Sequence, residues 1–364
     1  LWLHTFTVGA PLSFLDHHLR CGDSLFGLWV NRGLEKAAKI ENGSRKKADK
    51  GQTLFLFEAV QRALRAASSM QILEGLTDAE IAEAHRSADV FAEIEEMTAP
   101  LASLLNFFSA LDWLELATPA NKGILQAYLT GLFGDPVQLA LGQLKPAPAL
   151  HTSDRAKVDA TNFAKLLADV RELIDEEKLL NWQVTFPGVW SNWEADGLDG
   201  GFDAVIGNPP WDRIKLQQVE WFTARQREIA VQQRADDRKR MVAALVKKAD
   251  PLAKDYAKAE ARAEATARIA RSSGEYPLLS RGDVNIYSLF VERAMRLAKP
   301  TGMVGLLTPS GIASDKTAAP FFSSMSTGGR LKAFYDFENR RSRFKKPPFF
   351  PDVDSRFKFA ATIA

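Results

Sequence analysis

The chain has 364 residues, of which 46% are hydrophobic and 25% charged, with 47 Lys and Arg against 45 Asp and Glu. This balance is typical of a globular protein of two or three domains and excludes disorder, collagen or a coiled-coil rod for the chain as a whole. The absence of any run of about 18 apolar residues excludes a membrane-spanning helix. The single cysteine, Cys21, excludes an internal disulfide and favours a reducing, cytoplasmic location.

Two regions precede residue 191. The first, residues 1–32, contains Cys21-Gly22-Asp23-Ser24-Leu25, a pattern that predicts a strand running into a turn. Residues 33–190 repeat apolar side chains at helical spacing, as in Leu101, Leu104 and Phe108. They predict a helical insertion or subdomain, and we find no catalytic constellation in it.

The third region, residues 191–364, alternates between strand and helix patterns. Phe202–Gly207 predicts a short buried strand, and a charged helical insertion at about 212–275 follows it. The remaining elements predicted in chain order are a helix at Asn285–Leu297, a turn at Lys299–Gly302, a buried strand at Met303–Leu307, and strands at Leu331–Phe337 and Arg356–Ile363. This order predicts an open α/β sheet, in which ligands lie outside the carboxyl ends of strands. Asn208 stands at such an end.

Positive charge is concentrated in two segments although the whole chain is nearly neutral. Between Arg225 and Arg271 there are 13 Lys or Arg and 7 Asp or Glu, and between Arg330 and Lys346 there are 7 and 2. Local excesses of this kind suit contact with nucleic-acid phosphates. A solvated helix face is the alternative for the first segment.

The most informative segment is Asn208-Pro209-Pro210-Trp211, directly after the predicted strand. Two prolines stiffen the turn. Because proline has no backbone N–H, the prolines supply no amide donor that could occupy the carbonyl oxygens of the turn. The Asn208 side-chain oxygen and the Pro209 carbonyl could therefore accept both hydrogens of an exocyclic amino group while the heterocycle stacks on Trp211. Two such acceptors stabilise the positive charge that grows on the nitrogen during attack. The alternative is an ordinary strand-ending turn.

Phe202–Trp211 resembles motif IV of the N6-adenine DNA methyltransferases, whose signature is Asn or Asp, then Pro-Pro, then an aromatic residue. Further segments resemble the gamma arrangement of that family, in the expected order. Arg20–Leu25 resembles motif III, which implies that Asp23, with Ser24 beside it, binds the adenine of S-adenosylmethionine. For Asp23, capping of the following turn is the alternative.

The later motifs of the resemblance lie beyond residue 284. Asn285–Phe290 resembles motif V, which implies that Phe290 packs on the adenine of the cofactor. Met303–Pro309 resembles motif VI, and Phe350 falls where motif VIII supplies a second aromatic ring for the target base. Either phenylalanine could instead be a core residue. The closest resemblance is to large bacterial methylases of the type IIG restriction and phage-growth-limitation (PglX-like) kind.

The resemblance implies a partial Rossmann-like class I methyltransferase sheet with a large helical insertion. It implies methylation of adenine N6 in double-stranded DNA, by base flipping, with S-adenosyl-L-methionine as cofactor. Restriction-modification or phage defence would be the setting, with partner subunits of a defence system as possible partners. No Cys/His cluster is present, so we predict no metal.

Two motifs of the family are not found: the glycine-rich turn of motif I and the acidic residue of motif II. We expect both upstream of Leu1 and a target-recognition domain after Ala364, so that the chain is a piece of a longer protein. Two alternatives stay open. The same Asn-Pro-Pro-aromatic turn serves methylation of RNA or of protein glutamine, and a methylase-like sheet could be a non-catalytic DNA-binding scaffold.

Overall fold

The computed structural model describes residues 16–42, 54–76, 81–147, 160–194, 199–282, 284–339, 347–351, 354, 356 and 358–364. The chain divides into two compact units, Leu1–Gly200 and Gly201–Ala364. The domain boundaries predicted at residues 32 and 190 remain predictions. None of the helices in the described ranges combines the length and the apolar character needed to cross a bilayer.

The first unit is built mainly of helices. Their bounds, in chain order, are α1 (Val30–Asn42), α2 (Leu54–Glu74), α3 (Ile81–Trp113), α4 (Lys122–Leu129), α5 (Pro136–Leu141), α6 (Ala160–Glu177) and α7 (Trp182–Thr185). The short strands β1 (Trp190–Asn192) and β2 (Asp199–Gly200) pair antiparallel at its end. The helical character predicted for residues 33–190 is confirmed over the described part.

The 33-residue helix α3 is a central element of the first unit. It continues through Pro100, and Leu101, Leu104 and Phe108 are all at most 1% exposed. Apolar side chains of this helix lie on more than one of its sides, which is the pattern of a buried helix. Phe163 of α6 is also fully buried and stacks on Phe133, with ring centroids 4.5 Å apart.

The second unit contains a four-stranded mixed sheet in the order β3-β4-β6-β5. The strands are β3 (Phe202–Gly207), β4 (Ala298–Pro309), β5 (Ala333–Glu338) and β6 (Lys358–Ile363). The helices are α8 (Gln218–Thr223), α9 (Arg227–Ala230), α10 (Ala235–Lys247), α11 (Pro251–Ser272), α12 (Ile286–Leu297), α13 (Gly311–Ser314) and α14 (Ala319–Thr327). Strand β3 is parallel to β4, whereas β6 runs antiparallel between β4 and β5. This mixed α/β structure is compatible with a methyltransferase-like fold.

One face of the sheet is covered and the other is open at its β3 edge. Tyr287 and Val291 of α12 pack with Val304 and Leu306 of β4 in one hydrophobic cluster. Ile206, on β3, is 86% exposed. The prediction of a buried strand at Phe202–Gly207 is therefore wrong, although the strand itself is confirmed. The apolar run is typical of a strand covered on both faces, but β3 is an edge strand with one uncovered face.

A second difference concerns Lys299–Gly302, predicted as a turn. The structure assigns this segment to β4, where the pairing register with β3 shifts between Phe202 and Ala204. Gly302 lies so close to β3 that an added Cβ would be 2.7 Å from the Phe202 carbonyl oxygen. The glycine and proline signals of this segment therefore mark an irregular part of a strand.

Candidate active site

Strand β3 ends immediately before the Asn-Pro-Pro-Trp turn. Asn208 and Pro210 are exposed, whereas Pro209 is buried. Within the part of the chain that the structure describes, no hydrogen-bond donor reaches the Asn208 side chain or the Pro209 carbonyl. Both acceptors of the predicted site are thus available at the carboxyl end of a strand.

Trp211 is held against the sheet. Its indole Nε1 lies 3.4 Å from the Leu307 carbonyl oxygen, to which it donates, and the ring packs against the cluster that α12 and β4 form. The ring plane is inclined by 28° to that of Phe359, with centroids 6.2 Å apart. These contacts leave Trp211 half-buried, as expected of a ring that presents part of its surface to a ligand.

The structure brings Trp211 and Phe350 together. Their ring centroids are 5.6 Å apart and their planes are inclined by 73°, which is an edge-to-face contact. A base held between two parallel rings needs a gap between them. In this arrangement the two rings are in contact, and the gap is closed. The sandwich implied by the resemblance stays a prediction, and it requires the Phe350 ring to move.

Asn339, directly after β5, holds the backbone of Phe350. Its Nδ2 donates to the Phe350 carbonyl oxygen at 2.9 Å, and its Oδ1 accepts from the Phe350 amide at 3.0 Å. Asn339 is 1% exposed. Sequence reasoning missed this residue, because the two partners are 11 positions apart and no local pattern joins them.

A cleft of about 920 Å³ opens beside Trp211. One side is formed by residues 211–217, which follow the turn, and by residues after the carboxyl end of β4. Glu220 and Trp221 of α8 form another part of the lining, as do Asn285 and Tyr287 at the start of α12. Burial raises the pKa of Tyr287 above its ordinary value, which keeps the phenol neutral. The volume falls in the range typical of small-molecule sites.

Helices α8 to α11 lie in the segment predicted as a charged helical insertion, at about 212–275, and have their own hydrophobic centre. Phe222, Ile229, Leu245 and Tyr256 are buried in one cluster. Trp221 contacts Phe222 and Tyr256 edge to face, while the Arg225 guanidinium lies 4.4 Å from the Trp221 ring centroid. The insertion is therefore a packed element, able to place Trp221 at a defined position in the cleft.

Asp23 and Ser24 belong to the first unit. The Asp23 backbone pairs with residues 178–180, and its Oδ1 accepts from the amides of Leu25 and Phe26 at 2.8 and 3.0 Å. The structure thus shows the capping alternative for Asp23. The Ser24 carbonyl oxygen accepts from the indole Nε1 of Trp182 at 2.9 Å. Cofactor binding by these two residues stays a prediction.

Phe290 lies half-buried on α12, in the second unit with Asn208. Its role towards a cofactor adenine also stays a prediction. Among the described residues, no three His, Cys, Asp or Glu side chains are grouped so that they could hold a metal ion.

A mixed α/β unit with acceptors that have no hydrogen-bond partner among the described residues, at the end of a strand, suits a methyltransferase. The model of the Eco57I restriction-modification methylase family matches residues 90–258 and 256–344. The chain therefore belongs to the Eco57I restriction-modification methylase family, which supports a DNA-methyltransferase activity in restriction-modification. The match includes much of the helical first unit. No curated protein and no solved structure matches the chain significantly.

Proposed function

We propose that the protein methylates the N6 amino group of adenine in DNA, with S-adenosyl-L-methionine as cofactor and with the target base flipped out of the duplex. The observation that carries this proposal is the pair of available acceptors on Asn208 and Pro209 at the end of β3, followed by the half-buried Trp211. The family membership supports the reaction class and the DNA substrate.

The acceptor pair explains the choice of an amino group. An aromatic amine is a poor nucleophile because its lone pair is delocalised into the ring. The Asn208 Oδ1 and the Pro209 carbonyl oxygen would each accept one N6 hydrogen and stabilise the charge that develops on nitrogen. Pro209 and Pro210 keep these oxygens in place because their φ angles are restricted.

The cofactor would supply an electrophilic methyl group. In the second unit, Phe290 is half-buried on α12, and we propose that the exposed part of its ring contacts the cofactor's adenine. In the first unit, Asp23 and Ser24 remain proposed cofactor-binding residues, although Asp23 Oδ1 already caps the turn that follows. The glycine-rich turn and the acidic ribose-binding residue are not found in this sequence. The chain's own residues thus fit part of a cofactor site.

The strand order supports a partial Rossmann-like sheet. In a doubly wound sheet of order 3-2-1-4-5-6, ligands lie where the order reverses, next to strand 4. Strand β3 is the edge strand of this half-sheet, is parallel to β4 and carries Asn208 at its carboxyl end. In the proposed sheet, β3 would take the place of strand 4.

DNA is the partner that the helical insertion fits. Lys254, Lys258 and Arg262 are exposed and recur every four residues along α11, so they lie on one side of that helix. We propose that they contact phosphates. In the second basic segment, Arg330 and Lys332 precede β5, which lies at the opposite edge of the sheet from β3, and residues 340–346 lie outside the described residues.

The test is the identity of the methyl acceptor. The natural full-length protein is incubated with labelled S-adenosylmethionine and unmethylated bacterial DNA, and the DNA is digested to nucleosides. We expect label in N6-methyladenine. Label in RNA or in protein glutamine would change the assigned substrate but not the proposed role of Asn208. No transfer to any acceptor would favour the alternative of a non-catalytic DNA-binding scaffold.

A further inference from the structure

The segment that follows the Asn-Pro-Pro-Trp turn is held by two backbone hydrogen bonds. The Ile214 amide donates to the Val284 carbonyl at 3.3 Å, and the Ile286 amide donates to the Asp212 carbonyl at 3.0 Å. Arg213 thereby forms an antiparallel bridge with Asn285, and the backbone bends at the next two residues. Ile214 is 6% exposed, whereas its neighbours Arg213 and Lys215 are both exposed.

Arg213 and Lys215 are exposed and both line the cleft with Trp211. Among the described residues, neither side chain has an ion-pair or hydrogen-bond partner. A tryptophan and two cations thus line one cleft within five residues of the chain. A ligand that stacks on Trp211 and carries negative charge beside its ring would meet all three.

The rest of the lining indicates what kind of anion fits. Asp212, Glu220 and Asp315 also line the cleft, so its carboxylates outnumber Arg213 and Lys215 by one. Because carboxylates outnumber cations in its lining, the cleft cannot attract a polyanion by its net charge. An anionic ligand must instead contact Arg213 and Lys215 directly. A nucleotide strand suits this mixture, because its phosphates accept from Arg and Lys while base amino groups donate to carboxylates.

We propose that the cleft binds the nucleotides of the target strand that flank the methylated base, with Arg213 and Lys215 on their phosphates. This inference rests on the proposed function, since the base on Trp211 is covalently joined to the strand. It assigns to the cleft a contact with the flanking sequence, in addition to the target base itself. The Glu220 and Asp315 carboxylates face the same strand and favour bases that present an amino group.

The test compares two pairs of the same composition. R213A/K215A removes the cleft cations, and R86A/K122A removes an exposed Arg and an exposed Lys of the first unit. Binding to a fluorescein-labelled duplex with one unpaired adenine is measured by anisotropy over a range of salt concentrations, with circular dichroism as the check on folding. The full-length protein is used throughout.

We expect R213A/K215A to lose affinity about tenfold or more and to lower the salt slope by about 1.8, since each phosphate contact contributes about 0.9. R86A/K122A should stay within twofold of the wild type, and R213K/K215R should retain most of the affinity. Equal losses in the two alanine pairs, or an unchanged R213A/K215A, would overturn the assignment of the cleft. A wild-type protein that binds and methylates no DNA would instead overturn the proposed function.

Discussion

The two units of the molecule differ in where their aromatic side chains lie. In the first, Phe133 and Phe163 stack inside a core of helices and are fully buried. In the second, Trp211 and Phe350 touch at the end of the sheet and remain half-buried. Aromatic side chains therefore fill a closed core in the first pair and, as proposed, form a binding surface in the second, because the interior of the helices is closed whereas the end of the sheet opens onto solvent.

The largest effect should come from the closed core. Phe163→Ala removes a stacked ring that is 0% exposed, and we expect the free energy of unfolding to fall by about 3–5 kcal/mol. Thermal and urea unfolding measure this. The matched control is Phe57→Ala, a phenylalanine of the same unit that is 52% exposed, where we expect a change within about 0.5 kcal/mol. Equal effects of the two substitutions would contradict the assignment of Phe163 to the core.

The next effect concerns chemistry and leaves stability unchanged. Asn208→Ala removes an exposed acceptor, so we expect methyl transfer to fall by about 10²–10³-fold with little change in unfolding. Asn208→Asp keeps an acceptor oxygen and should retain much more activity. Initial rates with labelled cofactor give the comparison. An alanine variant with more than a tenth of the wild-type rate would remove Asn208 from the site.

A smaller effect is expected at Asn339, which holds Phe350 beside Trp211. Asn339→Ala removes both hydrogen bonds that hold the Phe350 backbone, at a net cost of about 1–3 kcal/mol. We expect altered Trp211 fluorescence and a raised KM for DNA, with a smaller change in kcat, because Phe350 loses its place beside Trp211. Asn339→Asp keeps only the acceptor and should be intermediate. An unchanged KM in the alanine variant would show that the position of Phe350 does not matter for DNA.

The smallest effect is a pH dependence of stability. Burial raises the pKa of Glu292, and this outweighs the opposing effects of the amides of Leu278 and Leu279 and of the two neighbouring arginines, Arg293 and Arg296. A carboxyl group whose pKa is raised by folding stabilises most below its unfolded value of about 4.3, and that stabilisation is lost as the pH rises through the folded value. Because glutamine resembles the protonated carboxyl and does not titrate, the stability of the wild type relative to Glu292→Gln should fall with rising pH. Urea unfolding at pH 4 to 8 measures it, and a constant difference would contradict the shift.

Local pattern was sufficient for several elements. The helix predicted at Asn285–Leu297 is α12, Ile286–Leu297, and the strand predicted at Phe202–Gly207 is β3 with the same bounds. The helix rests on the period of its apolar residues and the strand on a short apolar run, and both signals lie within one segment. The same reasoning failed at Lys299–Gly302, since it cannot foresee that β4 pairs with β3 on both sides of this segment.

The sequence by itself determined the rigid Asn208–Trp211 turn, its place after a strand and the alternating cations that follow, because these depend on residues adjacent in the chain. Only the tertiary structure decided that β3 has an open face, that Asn339 holds Phe350, and that α8 lines a cleft beside Trp211. Those features join residues distant in sequence, and burial and hydrogen-bond geometry select them only once the elements are packed together.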